Sequence, residues 1–137
     1  MQMKIIIIDG QGGKMGRAVI EQLKSSHPEL ELTAIGTNSI ATSAMLKAGA
    51  DWGATGENPV IVNAKDADII IGPLGIVIAN SLLGEITPAM ARAVGESAAS
   101  KILIPVNRCH HYVVGVADLT LGEYIRMVDE QVAALLK

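Results

Sequence analysis

The residues best suited to chemistry in this chain form a glycine-rich stretch near its start, Asp9-Gly10-Gln11-Gly12-Gly13-Lys14-Met15-Gly16-Arg17. Glycines allow the positive φ angles of a tight turn, and they let backbone N–H groups approach a phosphate without a Cβ in the way. The stretch follows the apolar run Lys4–Ile8 and leads into residues with helical apolar spacing. A strand, a glycine-rich turn and a helix open a Rossmann-like unit. This order predicts a phosphate-binding turn formed by Gly10, Gln11, Gly12, Gly13, Lys14, Met15 and Gly16.

The spacing of these glycines separates two kinds of nucleotide turn. Glycines at positions 10, 13 and 16 fit a variant dinucleotide turn, whereas a strict G-x-G-x-x-G pattern would need glycine where Met15 stands. A P-loop is excluded because Arg17 and Ala18 replace the lysine and hydroxyl residue of that motif. Asp9 would repel a pyrophosphate unless it caps backbone N–H groups or meets a hydroxyl or a metal, and we favour the cap. The alternative is a turn that only packs the strand against the helix.

Further candidate ligand contacts stand at the ends of two later strands. Thr37, Asn38 and Ser39 end the second strand, where an NAD site has an acidic residue that binds the ribose hydroxyls. No acidic residue stands there, so the sequence favours NADP(H) over NAD(H). Gly72 and Pro73 end another strand, and a parallel sheet would bring them to the same edge, near the reactive end of the ligand. The alternative is a plain strand-to-helix turn.

Cys109 beside His110 and His111 is the remaining group with reactive side chains. A metal site needs several converging ligands, but adjacent residues on an extended chain point to opposite faces, so we predict no metal. Arg108 or a histidine could lower the pKa of the Cys109 thiol, which leaves a small enzyme with a cysteine nucleophile as an alternative.

The rest of the chain alternates strand-like and helix-like segments around these residues. Predicted strands are Lys4–Ile8, Leu30–Ile35, Val60–Asn63, Ala67–Ile71 and Lys101–Val106, with Tyr112–Val116 as a last strand or hairpin partner. Predicted helices are Lys14–Ser26, Ala41–Ala48 capped by Asn38 or Ser39, a region from Ile76 to Ser97 split at Pro88, and Leu121–Leu136. Ala50–Pro59 is predicted to be a functional loop, and Lys65-Asp66 leaves no room for a helix between its flanking strands. The pattern predicts one α/β Rossmann-like domain over residues 1–137, with a mostly parallel sheet flanked by helices.

Composition restricts the possible partners. Half of the 137 residues are hydrophobic, 18% are charged and the net charge is −3, which argues against disorder and against nucleic-acid binding. A single cysteine excludes an internal disulfide and favours the cytoplasm, and no apolar stretch is long enough for a membrane span. The expected partner is a small-molecule ligand.

The apolar Ile76–Leu83 segment, with Ile86 and Met90, is a candidate homo-oligomer interface, although packing of a simple core helix is the commoner explanation.

Two resemblances add to this prediction. The Gly10-to-Arg17 stretch resembles the nucleotide-binding turn of dihydrodipicolinate reductase, which implies an NAD(P)H pyrophosphate on the backbone of Gly10 to Met15. The substrate domain of that enzyme has no counterpart here, so its activity does not transfer. Over nearly its whole length the sequence is similar to a family of small, functionally uncharacterised bacterial proteins. That similarity rests on Asp9 to Gly13, Gly36 to Ser39, Gly53 to Asn58, Gly72-Pro73, Gly84 to Pro88 and Asn107 to Cys109.

The leading hypothesis is a cytoplasmic protein that binds NADP(H) on the turn at positions 10–16, with a redox step left open. One alternative is a non-catalytic binding or regulatory module for a small phosphorylated or carboxylated metabolite. The other is the cysteine-dependent enzyme.

Overall fold

The structure, a computed structural model, describes residues 2–106 and 110–137. The strands are β1 (Ile5–Asp9), β2 (Leu32–Gly36), β3 (Trp52–Thr55), β4 (Ile69–Pro73) and β5 (Ser100–Ile104). The helices are α1 (Lys14–Ser26), α2 (Ser39–Lys47), α3 (Glu57–Ala64), α4 (Pro88–Glu96) and α5 (Leu121–Leu135). A short 3₁₀ helix, Leu74–Val77, follows β4 directly. Cys109 and its neighbours Asn107 and Arg108 lie outside the described residues.

The strands form one sheet in the order β3-β2-β1-β4-β5, and every pair in the described chain is parallel. Ile5 of β1 lies opposite Leu32 of β2 on one side and Ile69 of β4 on the other. The chain therefore winds outward from β1 in one direction and then, from β4, in the opposite direction. This order confirms the predicted α/β fold with a parallel sheet flanked by helices, and it creates a topological switch point between β1 and β4.

The isoleucine run of β1 is buried on both faces because helices cover both sides of the sheet. Ile5 and Ile7 pack in a cluster with apolar residues of α1, α2 and α5. Ile6 and Ile8 pack in a second cluster with residues of α3 and α4. Full burial of one such side chain stabilises the fold by about 2 kcal/mol relative to its exposure. A continuous apolar strand with no alternation is what this three-layer arrangement requires.

The predicted strand at Val60–Asn63 is wrong, because these residues belong to helix α3. Gly56 precedes this helix with φ 104°, Glu57 stands in its first turn, and Val60 and Ala64 are buried one turn apart. Helix α3 therefore forms the crossover connection between β3 and β4. The short Lys65-Asp66 spacing had led us to predict that no helix lies before β4. Part of the predicted Ala50–Pro59 loop is the edge strand β3, which places the indole of Trp52 in solvent with 62% of the residue exposed.

The predicted helical region from Ile76 to Ser97 is only partly correct. Thr87 caps α4 and Pro88 occupies its first turn, as predicted, but residues 78–86 form irregular turns. Ile76, Ile86 and Met90 are buried within the domain's own core, whereas Leu83 is almost fully exposed. The burial of these three residues is therefore explained by packing in the core, which was the alternative to an oligomer interface.

The last predicted strand, at Tyr112–Val116, is also wrong, because residues 110–120 contain no strand or helix. Valine and tyrosine favour strands, but no sheet edge pairs with this segment, and Tyr112 and Val114 are exposed. In the described parts of the chain, no helix is both long and apolar enough to cross a membrane.

Candidate functional site

An open cavity of about 260 Å³ lies at the carboxyl edge of the sheet, at the switch point between β1 and β4. Its wall is formed by Asp9, Gly10, Gln11, Gly12, Gly13, Lys14, Met15, Pro73, Leu82, Val106 and Leu121. The glycine turn supplies one side of the cavity, and Pro73 at the end of β4, Val106 just after β5, Leu82 and Leu121 complete the lining. In open parallel sheets this crevice is where ligands bind.

The glycines of the turn have different structural roles. Gly13 has φ 73°, donates its N–H to Gly10 O at 2.9 Å, and would place a Cβ 2.8 Å from the Ala41 backbone of α2. A Cβ on Gly16 would contact Met45 and Asp9. Glycine at these positions is needed for packing of α1 against α2 and β1. A Cβ on Gly12, in contrast, meets nothing within 4 Å, so Gly12 lies against open space.

The Asp9 carboxylate caps the turn from inside the protein. Oδ1 accepts the Gly10 N–H at 2.8 Å and Oδ2 accepts the Gly16 N–H at 2.7 Å, with Asp9 only 6% exposed. Burial raises the pKa of the Asp9 carboxyl above its ordinary value, and these hydrogen bonds to the anion oppose that rise. The capping role favoured from the sequence is therefore observed. It also means that part of the α1 N-terminus is already occupied by a carboxylate.

The turn keeps donors that no described residue occupies. Gln11 N–H donates to Glu85 and Gly13 N–H to Gly10, but no described acceptor takes the N–H of Gly12 or of Lys14. Both residues line the cavity, and the exposed Lys14 ammonium has no ion pair among the described side chains. Free N–H groups at the N-terminus of a helix are the kind of donor that binds anions such as phosphate.

Glu85, which the sequence analysis missed, connects the glycine turn to the end of β2. Its Oε1 accepts the Gln11 N–H at 2.8 Å and the Asn38 Nδ2–H at 3.0 Å, and it also accepts a hydrogen bond from the Thr37 hydroxyl. Partial burial opposes ionisation, but the donors from Thr37, Gln11 and Asn38 outweigh it and lower the pKa of the Glu85 carboxyl. Glu85 is therefore an anion at neutral pH.

The predicted ligand-binding residues divide into three groups. Gly10 to Met15 and Pro73 line the cavity, whereas Gly16 and Gly72 are buried and do not line it. Thr37 and Asn38 both bond to Glu85, and Asn38 also donates directly to Gln11 O at 2.9 Å. Asn38 caps α2 as well, by accepting the Ala41 N–H at 2.9 Å. Ser39 lies in a separate groove between α1 and α2. Binding of a ligand to any of these residues stays a prediction.

One weak signal in the sequence could have indicated Glu85. Pro88 begins a helix, so the residues just before it must lie in the loop that connects β4 to α4. Such loops lie at the carboxyl edge of a parallel sheet, together with the glycine turn. The interpretation of residues 76–97 as mainly helical concealed this placement.

The cluster of Cys109, His110 and His111 lies only partly within the described residues. Cys109 lies outside the described residues, so its role as a nucleophile stays a prediction. His110 and His111 are exposed. Within residues 2–106 and 110–137, no three His, Cys, Asp or Glu side chains converge in the way that a metal ion requires.

This chain is similar to two solved structures and matches the model of one protein family. A universal stress protein from Archaeoglobus fulgidus is 16% identical over 77% of this chain and 100% of its own, with a TM-score of 0.42. A dodecameric FMN-dependent UbiX-like decarboxylase from Escherichia coli O157:H7 is 16% identical over 96% of this chain and 76% of its own, with a TM-score of 0.48. No curated protein matches the sequence. The model of the family described as a domain of unknown function (DUF3842) matches residues 4–137, and the chain therefore belongs to that family.

Proposed function

We propose that this protein binds a phosphorylated nucleotide in the cavity beside the glycine turn, with a phosphate on the N-terminus of α1. The observation that supports the proposal is the position of the unoccupied Gly12 and Lys14 N–H groups in the wall of a cavity at the switch point. In sheets of this order, dinucleotides bind across that crevice with their pyrophosphate at the first helix N-terminus. A nicotinamide dinucleotide is the first candidate, and the sequence alone favours NADP(H).

The two carboxylates at the turn limit the expected affinity. Asp9 has taken two backbone N–H groups that a phosphate would otherwise use, and Glu85 has taken a third. A charge-assisted hydrogen bond contributes about 1.5–3 kcal/mol, so a phosphate held by Gly12, Lys14 and the Lys14 ammonium is bound less tightly than on a fully free turn. We therefore expect moderate rather than very tight binding.

A thermal-shift screen of the purified chain against NADP⁺, NAD⁺, adenine nucleotides and sugar phosphates tests the proposal. A ligand present at 100 times its Kd adds about 2.7 kcal/mol to the free energy of unfolding, which is readily measured as a rise in Tm. The informative variant is Gly12→Leu, because a Cβ at this position in the cavity wall meets nothing within 4 Å and the longer side chain should occupy space that the ligand needs. It should keep the fold and lose the shift.

Gly95→Leu is the matched control, since a Cβ at Gly95 also meets nothing within 4 Å but lies on α4, outside the cavity lining. This variant should respond to the ligand as the wild type does. No shift with any nucleotide, or an equal shift in wild type and Gly12→Leu, would refute the proposed site.

The size of the cavity favours one second candidate, a binding or regulatory module for a small phosphorylated metabolite. About 260 Å³ lies below the range of roughly 300–1,000 Å³ found for pockets that enclose drug-sized ligands. Under this alternative, sugar phosphates would raise the Tm while nucleotides would not, and Gly12→Leu would remove that response.

A further inference from the structure

The Glu85 carboxylate is held in one orientation by an unusual concentration of donors. The Gln11 N–H, the Thr37 hydroxyl and the Asn38 amide all donate to Oε1. The backbone before it is turned by consecutive residues with positive φ, at 54° for Leu82, 55° for Leu83 and 87° for Gly84. Leucine rarely adopts this conformation, so the local chain is committed to a specific path that brings Glu85 over the glycine turn.

The second carboxylate oxygen, Oε2, receives no hydrogen bond from any described residue. Glu85 is only partly buried, and its neighbour Gln11 is exposed to solvent. The carboxylate thus presents a fixed, unused acceptor between the glycine turn and the end of β2. In a dinucleotide site this is the place where an acidic residue accepts hydrogen bonds from the ribose hydroxyls. That residue normally follows β2, where this chain has Thr37, Asn38 and Ser39 instead.

We propose that Glu85 is a specificity-determining residue whose free oxygen accepts a hydrogen bond from the 2′-hydroxyl of a nucleotide ribose, so that the site selects NAD(H) over NADP(H). The inference rests on the proposed function, because it assigns the ribose contact of the same nucleotide. The missing acid after β2 was the reason to favour NADP(H), and Glu85 supplies that acid from the segment between β4 and α4.

Selectivity follows from charge and from the fixed orientation of the carboxylate. A 2′-hydroxyl can donate to Oε2, whereas a 2′-phosphate would bring two anions together, and such like-charge contacts act strongly against a wrong partner. Rotation of the carboxylate away from the phosphate would break the hydrogen bonds to Oε1. The lowered pKa of Glu85 keeps the group charged at neutral pH.

Isothermal titration calorimetry on the full chain tests this assignment with NAD⁺, NADP⁺ and 2′-deoxyadenosine-NAD⁺ as ligands. For the wild type we expect NAD⁺ to bind at least about tenfold more tightly than NADP⁺, because of the charge repulsion. Removal of the 2′-hydroxyl should weaken binding by about tenfold, the worth of a hydrogen bond to a charged group. These measurements need no variant and so do not depend on the folding of one.

Glu85→Gln then identifies the responsible group. Its amide oxygen can replace Oε1 for the three donors, which places an NH₂ group where Oε2 was. The preference for NAD⁺ should fall to within about twofold or reverse, since an NH₂ group can donate to a 2′-phosphate. Glu31→Gln is the control, because it removes the same charge beside Trp52, before the start of β2 and so at the opposite edge of the sheet.

The outcomes separate the two proposals. Binding of both dinucleotides with a preference for NADP⁺, or with a ratio that Glu85→Gln leaves unchanged, would overturn the role of Glu85 and leave nucleotide binding intact. Failure of every dinucleotide to bind the wild type would overturn the proposed nucleotide site, and the role of Glu85 with it.

Discussion

Replacement of Gly13 by alanine should strongly destabilise the protein, while the same replacement at the adjacent Gly12 should not. Gly13 has φ 73°, and an L-residue in this left-handed region costs about 1–2 kcal/mol. An added Cβ would also lie 2.8 Å from Ala41 Cα and 2.9 Å from Ala41 O. Ordinary carbon contacts lie at about 3.5–4.0 Å, so α2 would have to move away from α1.

The two costs can be combined for Gly13→Ala. Overpacking of this kind typically costs about 1–3 kcal/mol, which together with the backbone term gives a loss of about 2–5 kcal/mol. Gly12 has neither a positive φ nor an atom within 4 Å of the added Cβ. Gly12→Ala should therefore leave stability unchanged or raise it by up to about 1 kcal/mol, through the reduced entropy of the unfolded chain.

Urea unfolding followed by far-UV circular dichroism measures both variants directly. We expect a large fall in the midpoint for Gly13→Ala and none for Gly12→Ala. Equal stability of Gly13→Ala and wild type would refute the interpretation that Gly13 is required by the packing of α1 on α2. A large loss in Gly12→Ala would refute the conclusion that a Cβ at Gly12 meets only open space.

Two further predictions concern a part-buried carboxylate and a strained loop. Partial burial opposes ionisation of Asp129, but hydrogen bonds from Ser26, Gln22 and His27 lower its pKa. Its stabilisation is therefore present above about pH 4 and is lost as the pH falls through the lowered pKa. Asp129→Asn should be less stable than wild type by about 1–2 kcal/mol at pH 7, and a difference that stays constant down to pH 2 would contradict this. Leu83 has φ 55° and is 97% exposed. Leu83→Gly should therefore raise the free energy of unfolding by about 1 kcal/mol in the same urea assay, because glycine adopts this backbone conformation without strain. A loss of stability would show that the leucine makes a stabilising contact.

The parts of the fold that were predicted correctly have strong local signals. The isoleucine run, the helix after the glycine turn and the cap formed by Thr87 and Pro88 are each encoded within a few consecutive residues. The Val60–Asn63 segment has no such signal, because a short apolar run fits a buried strand and a buried helix equally well. Gly56 and Glu57 mark the helix start, but they had been assigned to a loop.

In the candidate site, the sequence indicated the glycine turn but not Glu85, for a different reason. Glycine spacing identifies a tight turn at a helix N-terminus, since only backbone geometry is involved. Glu85 lies 74 positions from Gln11 along the chain, and their contact exists only because the parallel sheet brings both loops to one edge. The packing role of Gly13 likewise depends on the position of α2. Such contacts between distant segments have no local sequence signature.

Amide chemical shifts measured during an NMR titration with NAD⁺ report directly on whether a nucleotide binds at the glycine turn. We expect saturable shifts at the N–H of Gly12 and Lys14, which are free donors at the α1 N-terminus, together with Gln11 beside Glu85. The amides of the groove between α1 and α2, such as Ser43, should remain unchanged as an internal control. Saturable shifts confined to that groove, or no shifts at millimolar NAD⁺ and NADP⁺, would contradict nucleotide binding at the glycine turn.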